Sequence, residues 1–249
     1  MSHYFKALFF LAWMGLYFRG NAQILITNLA EPYTQNFDSL GNRDVNPWIN
    51  NKTLPGWYYV MAENRAKTKT PRFIAASDGS LATPFPYHFG KRDSSDRALG
   101  SIAGNVLGDQ EEHFFGVYFI NRTSKTITSV TISYTGEQWR DNDTQKTFLQ
   151  CYYRVGSEDF TADTENMGWS YGYDYLGFTG PQSVKGGSID GNDPANQVSV
   201  YYQIQNLKIP PGESFWIRWF DRDDEGINDH GLAIDDLTVS FSEMRISDH

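Results

Sequence analysis

The chain has 249 residues, with 21 Lys and Arg against 30 Asp and Glu, and a net charge of -9 at pH 7. The acid excess excludes a non-specific nucleic-acid binder, whose affinity comes from Lys and Arg on phosphates. An aromatic content of 16% excludes a disordered chain, and a single Cys excludes both an intrachain disulfide and a multi-Cys zinc site.

Residues 1 to 22 read as a signal peptide. Lys6 supplies the positive start, Ala7 to Phe18 is an apolar run of 12 residues, and Gly20 and Ala22 stand at -3 and -1 of a peptidase site before Gln23. The run is short for a bilayer span; an uncleaved membrane anchor is the other reading. Cleavage would leave one domain, residues 23 to 249, net -11 and large enough for a core without disulfides. It would be secreted or held at the cell surface, with no further membrane span.

Periodicity of two runs along the rest of the chain. It predicts strands at Ile24 to Leu29, Trp57 to Ala62, Arg72 to Ala76, Arg97 to Ile102, His113 to Asn121, Val130 to Tyr134 and Phe148 to Val155. Further strands are expected at Val198 to Ile204, Phe215 to Phe220 and Leu232 to Phe241. Turn clusters separate them, such as Ser77-Asp78-Gly79-Ser80 and Ile209-Pro210-Pro211-Gly212. About ten strands without a clear amphipathic helix predict an all-β, two-sheet antiparallel sandwich of jelly-roll type. Cys151, between apolar alternate neighbours, reads as a buried inert thiol. Phe160 to Asn196 lacks alternation and reads as an excursion at one rim.

Three constellations bear on function. Trp139 and Arg140, with Glu137, sit in Gly136-Glu137-Gln138-Trp139-Arg140, which follows the strand ending at Tyr134. Trp stacks on sugar C–H groups while Arg and Glu exchange hydrogen bonds with hydroxyls; alternatively the pair Glu137 and Arg140 closes a turn over a half-buried Trp. The second lies on the outward sides of the strands, where Tyr152, Tyr201, Trp216 and Arg218 stand among Gln150, Arg154 and Gln203. Aromatics mixed with Gln and Arg suit a ligand groove; the other reading is that the Phe160 to Asn196 excursion covers them as a second core layer.

The third is acidic. Asp221, Asp223, Asp224 and Asp229 crowd one short segment with Glu225 and Asn228. Such carboxylates need a cation or a solvated loop, and calcium takes 6 to 8 oxygens of this kind. Position 12 of an EF-hand loop would be Leu232, so the segment is not one. Asp229-His230 is also a candidate acid/base pair, although no nucleophile is placed by sequence. No H-E-x-x-H, P-loop or G-x-G-x-x-G is present.

Ala233-Ile234-Asp235-Asp236-Leu237-Thr238-Val239 resembles the last strand of carbohydrate-binding-module-like and MAM-like jelly rolls. The resemblance implies that Asp235 or Asp236 joins an early acid, here Asp38, on a structural calcium. More of the chain, about Tyr33 to Phe241, resembles a secreted bacterial domain found attached to extracellular nucleases and surface-anchored proteins. Thr53-Leu54-Pro55-Gly56-Trp57, Arg97-Ala98-Leu99-Gly100-Ser101, Tyr134-Thr135-Gly136-Glu137-Gln138-Trp139-Arg140 and Asn228-Asp229-His230-Gly231-Leu232-Ala233-Ile234-Asp235-Asp236-Leu237 carry that likeness. It implies a sandwich module, usually of unassigned activity, and no nuclease. The expectation is therefore a calcium-stabilised module binding a glycan or cell-surface polymer and no nucleic acid. A polysaccharide-degrading enzyme using Glu137 and a C-terminal Asp is one alternative; a structural module of a surface assembly is another.

Overall fold

The computed structural model describes residues 23–42, 44–64, 67–106, 109–156, 168–223 and 229–243; the expected signal segment and Asp224 lie outside them. Their strands are β1 (Ile24–Ile26), β2 (Tyr33–Gln35), β3 (Val45–Pro47), β4 (Trp57–Glu63), β5 (Lys67–Lys69), β6 (Phe73–Ser77), β7 (Phe85–Phe89), β8 (Ala98–Ile102) and β9 (Gly104–Val106). They continue as β10 (Asp109–Asn121), β11 (Ser129–Asp141), β12 (Phe148–Val155), β13 (Ser170–Tyr171), β14 (Phe178–Thr179), β15 (Gly187–Ser188), β16 (Gln197–Ile204), β17 (Ser214–Asp221) and β18 (Gly231–Ser242). A single α-helical turn, α1 (Tyr173–Leu176), lies between β13 and β14. Among the described residues no helix is long and apolar enough to cross a membrane.

The first sheet runs β13-β12-β17-β10-β4-β5 and the second β15-β11-β18-β8-β7-β6-β3, with β16 on β11 and β2 on β18. Within them, β10-β17-β12-β13 faces β8-β18-β11-β16. The chain changes sheet from β8 to β10, β10 to β11, β11 to β12, β16 to β17 and β17 to β18, which is the double Greek key of a jelly roll. The added strands β3, β6 and β7 widen one edge of the second sheet.

The inward residues follow the expected alternation. Phe215, Ile217 and Trp219 of β17 meet Val130, Ile132 and Tyr134 of β11, with Trp57 and Tyr59 of β4. Trp219 is fully buried; its ring stacks on Trp57 at 6.0 Å and Phe115 at 5.9 Å, and Tyr134 meets it edge-on at 5.5 Å. Such aromatic pairs add to the area they bury. In β18 the inward positions change phase, from Leu232 and Ile234 to Leu237, Val239 and Phe241. A β-bulge absorbs the extra residue: Ser133 pairs with Thr238 but Thr135 with Asp235, and Asp236 takes φ 51°.

Two further apolar layers lie outside the sandwich. One is on the first sheet, including Phe114, Tyr118, Tyr152, Trp216 and Phe220 with Trp169. The other is on the second sheet, with Tyr87, Phe89, Trp139 and Ala233. Cys151 is fully buried, and burial pushes its thiol up, as an inert core residue requires. Replacing Trp219 by Ala is expected to cost about 3–5 kcal/mol, because three aromatic partners cannot close the cavity. The midpoint of urea unfolding measures it, with the denaturant slope unchanged.

Candidate ligand-binding face

The structure assigns the expected binding residues to different surroundings. On the first sheet Tyr152, Trp216 and Arg218 are buried. Tyr152 stacks on Tyr171 at 4.7 Å, and the Arg218 guanidinium lies 4.0 Å from the Trp169 ring centroid. Trp169 and Tyr171 belong to the rim excursion, so here the covered-layer reading describes the geometry and an open groove does not. The alternation of β17 cannot reveal this, because both of its faces are apolar and buried.

The Gly136 to Arg140 segment is no turn after a strand; it is the continuation of β11 to Asp141. Its polarity is inverted. Trp139 and Glu137 point outward yet are buried, whereas Gln138 points inward, where it accepts from the Gln182 amide at 2.7 Å. Trp139 stacks on Phe89 at 6.2 Å and donates its indole N–H to Glu137 Oε2 at 2.8 Å. Glu137 Oε1 accepts from Gln197 at 3.2 Å. Both oxygens of the acid named for the degrading-enzyme reading are therefore held by protein. Arg140 donates to the Gly79 carbonyl at 2.7 Å. Gly79 has φ +84°, and a side chain there would run into the Trp139 carbonyl. Trp139, Arg140 and Glu137 thus brace the loops laid over this half of the sheet.

The structure places the acids expected around one calcium at separate positions. Asp38 Oδ1 accepts from the Arg97 amide at 3.1 Å, at the start of β8. Asp229 N donates to the Ala103 carbonyl at 3.0 Å, just past its other end. Six extended residues separate these anchors by about 20 Å at about 3.3 Å each, whereas ligands across a calcium ion lie about 5 Å apart. Asp221, Asp223 and Asp229 are buried at the far end, where Asp221 Oδ2 accepts from Ser101 Oγ at 2.6 Å. His230 is also buried there and accepts the Asn142 amide on Nδ1 at 3.1 Å, so Asp229-His230 is no open acid/base pair.

A second group of acids is on the outer face of β11 and β18. Glu137, Asp235, Asp236 and Asp96 interact there electrostatically. Burial first, then neighbouring carboxylates, push Glu137 up to about 7 and Asp235 up to about 9; the Trp139 hydrogen bond opposes this at Glu137. Sequence spacing joins Asp235 to Asp236 but gives no sign of Asp96 or Glu137, which arrive through strand pairing.

One quarter of the second sheet is left open. Tyr201 on β16 is 73% exposed. Opposite it on β11 is Ser133, then Thr238 on β18, then Thr34 on β2. The next row is Gln203, Thr131 and Ser240. None of these seven side chains is charged. The first row crosses four strands, a span of about 14 Å at about 4.8 Å per strand. It ends in a shallow groove of about 350 Å³ lined by Thr34, Gln35, Asn36, Asp236, Leu237 and Thr238. Of the expected binding residues, Tyr201 is the one whose ring stands open to a ligand.

No protein-family model matches the chain, and no curated protein matches it. Among solved structures it is similar to the CBM22-2 xylan-binding domain of Xyn10C from Paenibacillus barcinonensis, at 10% identity and TM-score 0.41, over 84% of this chain and 99% of that one. It is also similar to the K1 cleaved adhesin domain of Lys-gingipain from Porphyromonas gingivalis W83, at 10% identity and TM-score 0.31, over 86% and 99% of the two chains. A third likeness is to the enzymatically active domain of tailspike protein 4 of bacteriophage CBA120, at 11% identity and TM-score 0.35. There 75% of this chain spans 19% of that one. These identities and scores leave the chemistry of those proteins with those proteins.

The raised carboxyls fix a pH dependence. The folded state keeps protons on Glu137 and Asp235 that the unfolded chain releases near its ordinary values of 4.5 and 3.8. Their stabilising contribution is therefore complete at low pH and is lost as pH rises through about 7 and about 9. In buffer containing EDTA the Tm is expected to fall between about pH 5 and pH 9, and Asp235→Asn to flatten that slope. Calorimetry across the range checks the sign.

Proposed function

We propose that the protein is an exported module that binds a glycan or cell-surface polymer on the open quarter of its second sheet. The observation that carries the reading is the exposed Tyr201 ring heading an uncharged row of hydroxyls on a sheet anchored by the core beneath it. A sugar presents the matching pair of features: C–H groups that pack on a ring face, and hydroxyls that donate to and accept from Ser, Thr and Gln. Strand geometry fixes the spacing of these groups before the ligand arrives, which lowers the ordering cost of binding. The row is long enough for a short stretch of an extended chain. The acidic net charge of -9 favours a neutral polymer over an anionic one.

The same reading gives calcium a structural place at Glu137, Asp235, Asp236 and Asp96. Their donors are hard oxygens; Glu137 and Asp235 are buried, Asp96 is half-buried and Asp236 is exposed, and carboxylates that repel one another are relieved by a divalent ion. The ion would tie β18 to the loop containing Asp96 and would take no part in ligand chemistry.

Two measurements test these statements. In affinity electrophoresis against neutral polysaccharides, Tyr201→Ala is expected to weaken binding about tenfold, the size of one stacking contact. Its Tm should match the parent's, since the ring is exposed; equal binding by parent and variant would remove the face from the reading. For calcium, EDTA at about pH 8 is expected to lower Tm by several degrees and added calcium to restore it, as loss of a ligand bound to the native state requires. An unchanged melting curve would count against the ion alone.

A further inference from the structure

A separate cleft of about 420 Å³ runs along the widened edge of the second sheet, where β3 pairs with β6. Its floor is made of small residues, Ala75, Ala76 and Ser77 of β6 with Gly90, which is why there is depth at this point. A side chain at Gly90 would collide with the Arg97 guanidinium and the Asp96 carbonyl, so the wall closes there without one.

Both walls are braced from behind. In the loop after β6, Gly79 N donates to Ser77 Oγ at 3.1 Å, and Ser80 N donates to Asp78 Oδ1 at 3.1 Å. Arg140 holds the Gly79 carbonyl at 2.7 Å, and Ser188 Oγ donates to the Asp78 carbonyl at 2.8 Å. In the loop before β8, buried Arg97 donates to the carbonyls of Lys91 at 3.1 Å and Ser94 at 2.7 Å. The segment that sequence reasoning singled out for Trp139 and Arg140 therefore supports this cleft without lining it.

The lining combines two kinds of surface. Val45, 54% exposed, and Leu81, 45% exposed, supply an apolar wall. Asp44, Asp78, Arg92 and Arg97 also line the cleft, two charges of each sign. The Ser80 hydrogen bond lowers the Asp78 carboxyl below its usual value, and Arg92 adds to the effect, so Asp78 is an ionised acceptor at neutral pH.

We propose that this cleft is a second ligand site, taking one or two rings of a neutral sugar at a chain end. Asp44 and the ionised Asp78 accept from ring hydroxyls, and the exposed Arg92 guanidinium donates back, the charge-assisted bonds that are strongest in a cleft. Val45 and Leu81 cover the C–H face. The lining carries two charges of each sign and so no net charge, which an uncharged ring matches. The cleft shares no residue with the Tyr201 row, and each assignment can fail alone.

Isothermal titration of the whole protein with glucose, galactose, mannose and xylose, one at a time, tests the site. At least one is expected to bind saturably. In the Tyr201→Ala background, which removes the open face, Asp78→Asn and Leu81→Ala should each weaken that sugar, the first about tenfold as one charge-assisted hydrogen bond implies. Both substituted side chains are exposed, and an unaltered melting curve shows that each variant is folded. Saturable binding by none of the four sugars overturns the proposal. So does binding lost in Tyr201→Ala, or binding unaffected by both cleft variants. Glucuronate or glucosamine binding as tightly as the neutral sugar overturns the match to an uncharged ring.

Discussion

Aromatic packing on both faces of β17 is the constraint from which the rest follows. Every residue from Ser214 to Asp221 is buried. Phe215, Ile217 and Trp219 build the core between the sheets, while Trp216 and Phe220 build the layer outside the first one. Burial of this kind stabilises roughly in proportion to apolar area, and here it occupies the surface on which the strand aromatics would otherwise contact ligands. The outer layer around Trp139 does the same for half of the second sheet. Among the described residues, the quarter headed by Tyr201 and the edge cleft leave side chains open to solvent.

The acidic residues illustrate how strand geometry overrides sequence proximity. Asp221 and Asp235 stand close in the chain, but one turns into the space between the sheets beside Ser101, and the other lies outside β18. In between, the chain passes from β17 in one sheet to β18 in the other. The partners that Asp235 gains instead, Glu137 and Asp96, come from distant strands and a loop. Like charges gathered in a poorly solvated place cost free energy unless a proton or a cation answers them. That cost links pH to the stability of the loops around Trp139.

The jelly roll was legible because its core strands alternate strictly. Val130, Ile132 and Tyr134, or Phe215, Ile217 and Trp219, announce a pleated surface with one face inward. The phase change at Asp235-Asp236 was also written in the chain, since Ile234 and Leu237 cannot share a face without a bulge. Legibility failed where both faces are buried, as at Tyr152 and Trp216, because period-two alternation cannot say which side is covered. It failed at Trp139 because loops from three parts of the chain cover an outward position, so a buried indole and an inward Gln138 invert the usual pattern. The edge cleft had no local signature: Asp44, Asp78 and Arg92 become neighbours through the pairing of β3 with β6 and the return of β7.

The edges of the sandwich determine which mode of recognition is left. An exposed strand edge invites pairing with another backbone. Here β5 presents Lys67 and Lys69 at the edge of the first sheet, and the short β3 ends in Pro47, which has no N–H to offer. Beside β16, α1 packs through the stack of Tyr175 on Tyr202 at 4.8 Å, and the Tyr134 hydroxyl holds the Leu176 carbonyl. With charge, proline and a helical turn at these margins, strand addition is disfavoured. What the margins leave open are side chains on a flat face and in a cleft, the hydroxyls, carboxylates and exposed ring on which the proposed binding of a polyhydroxylated ligand rests.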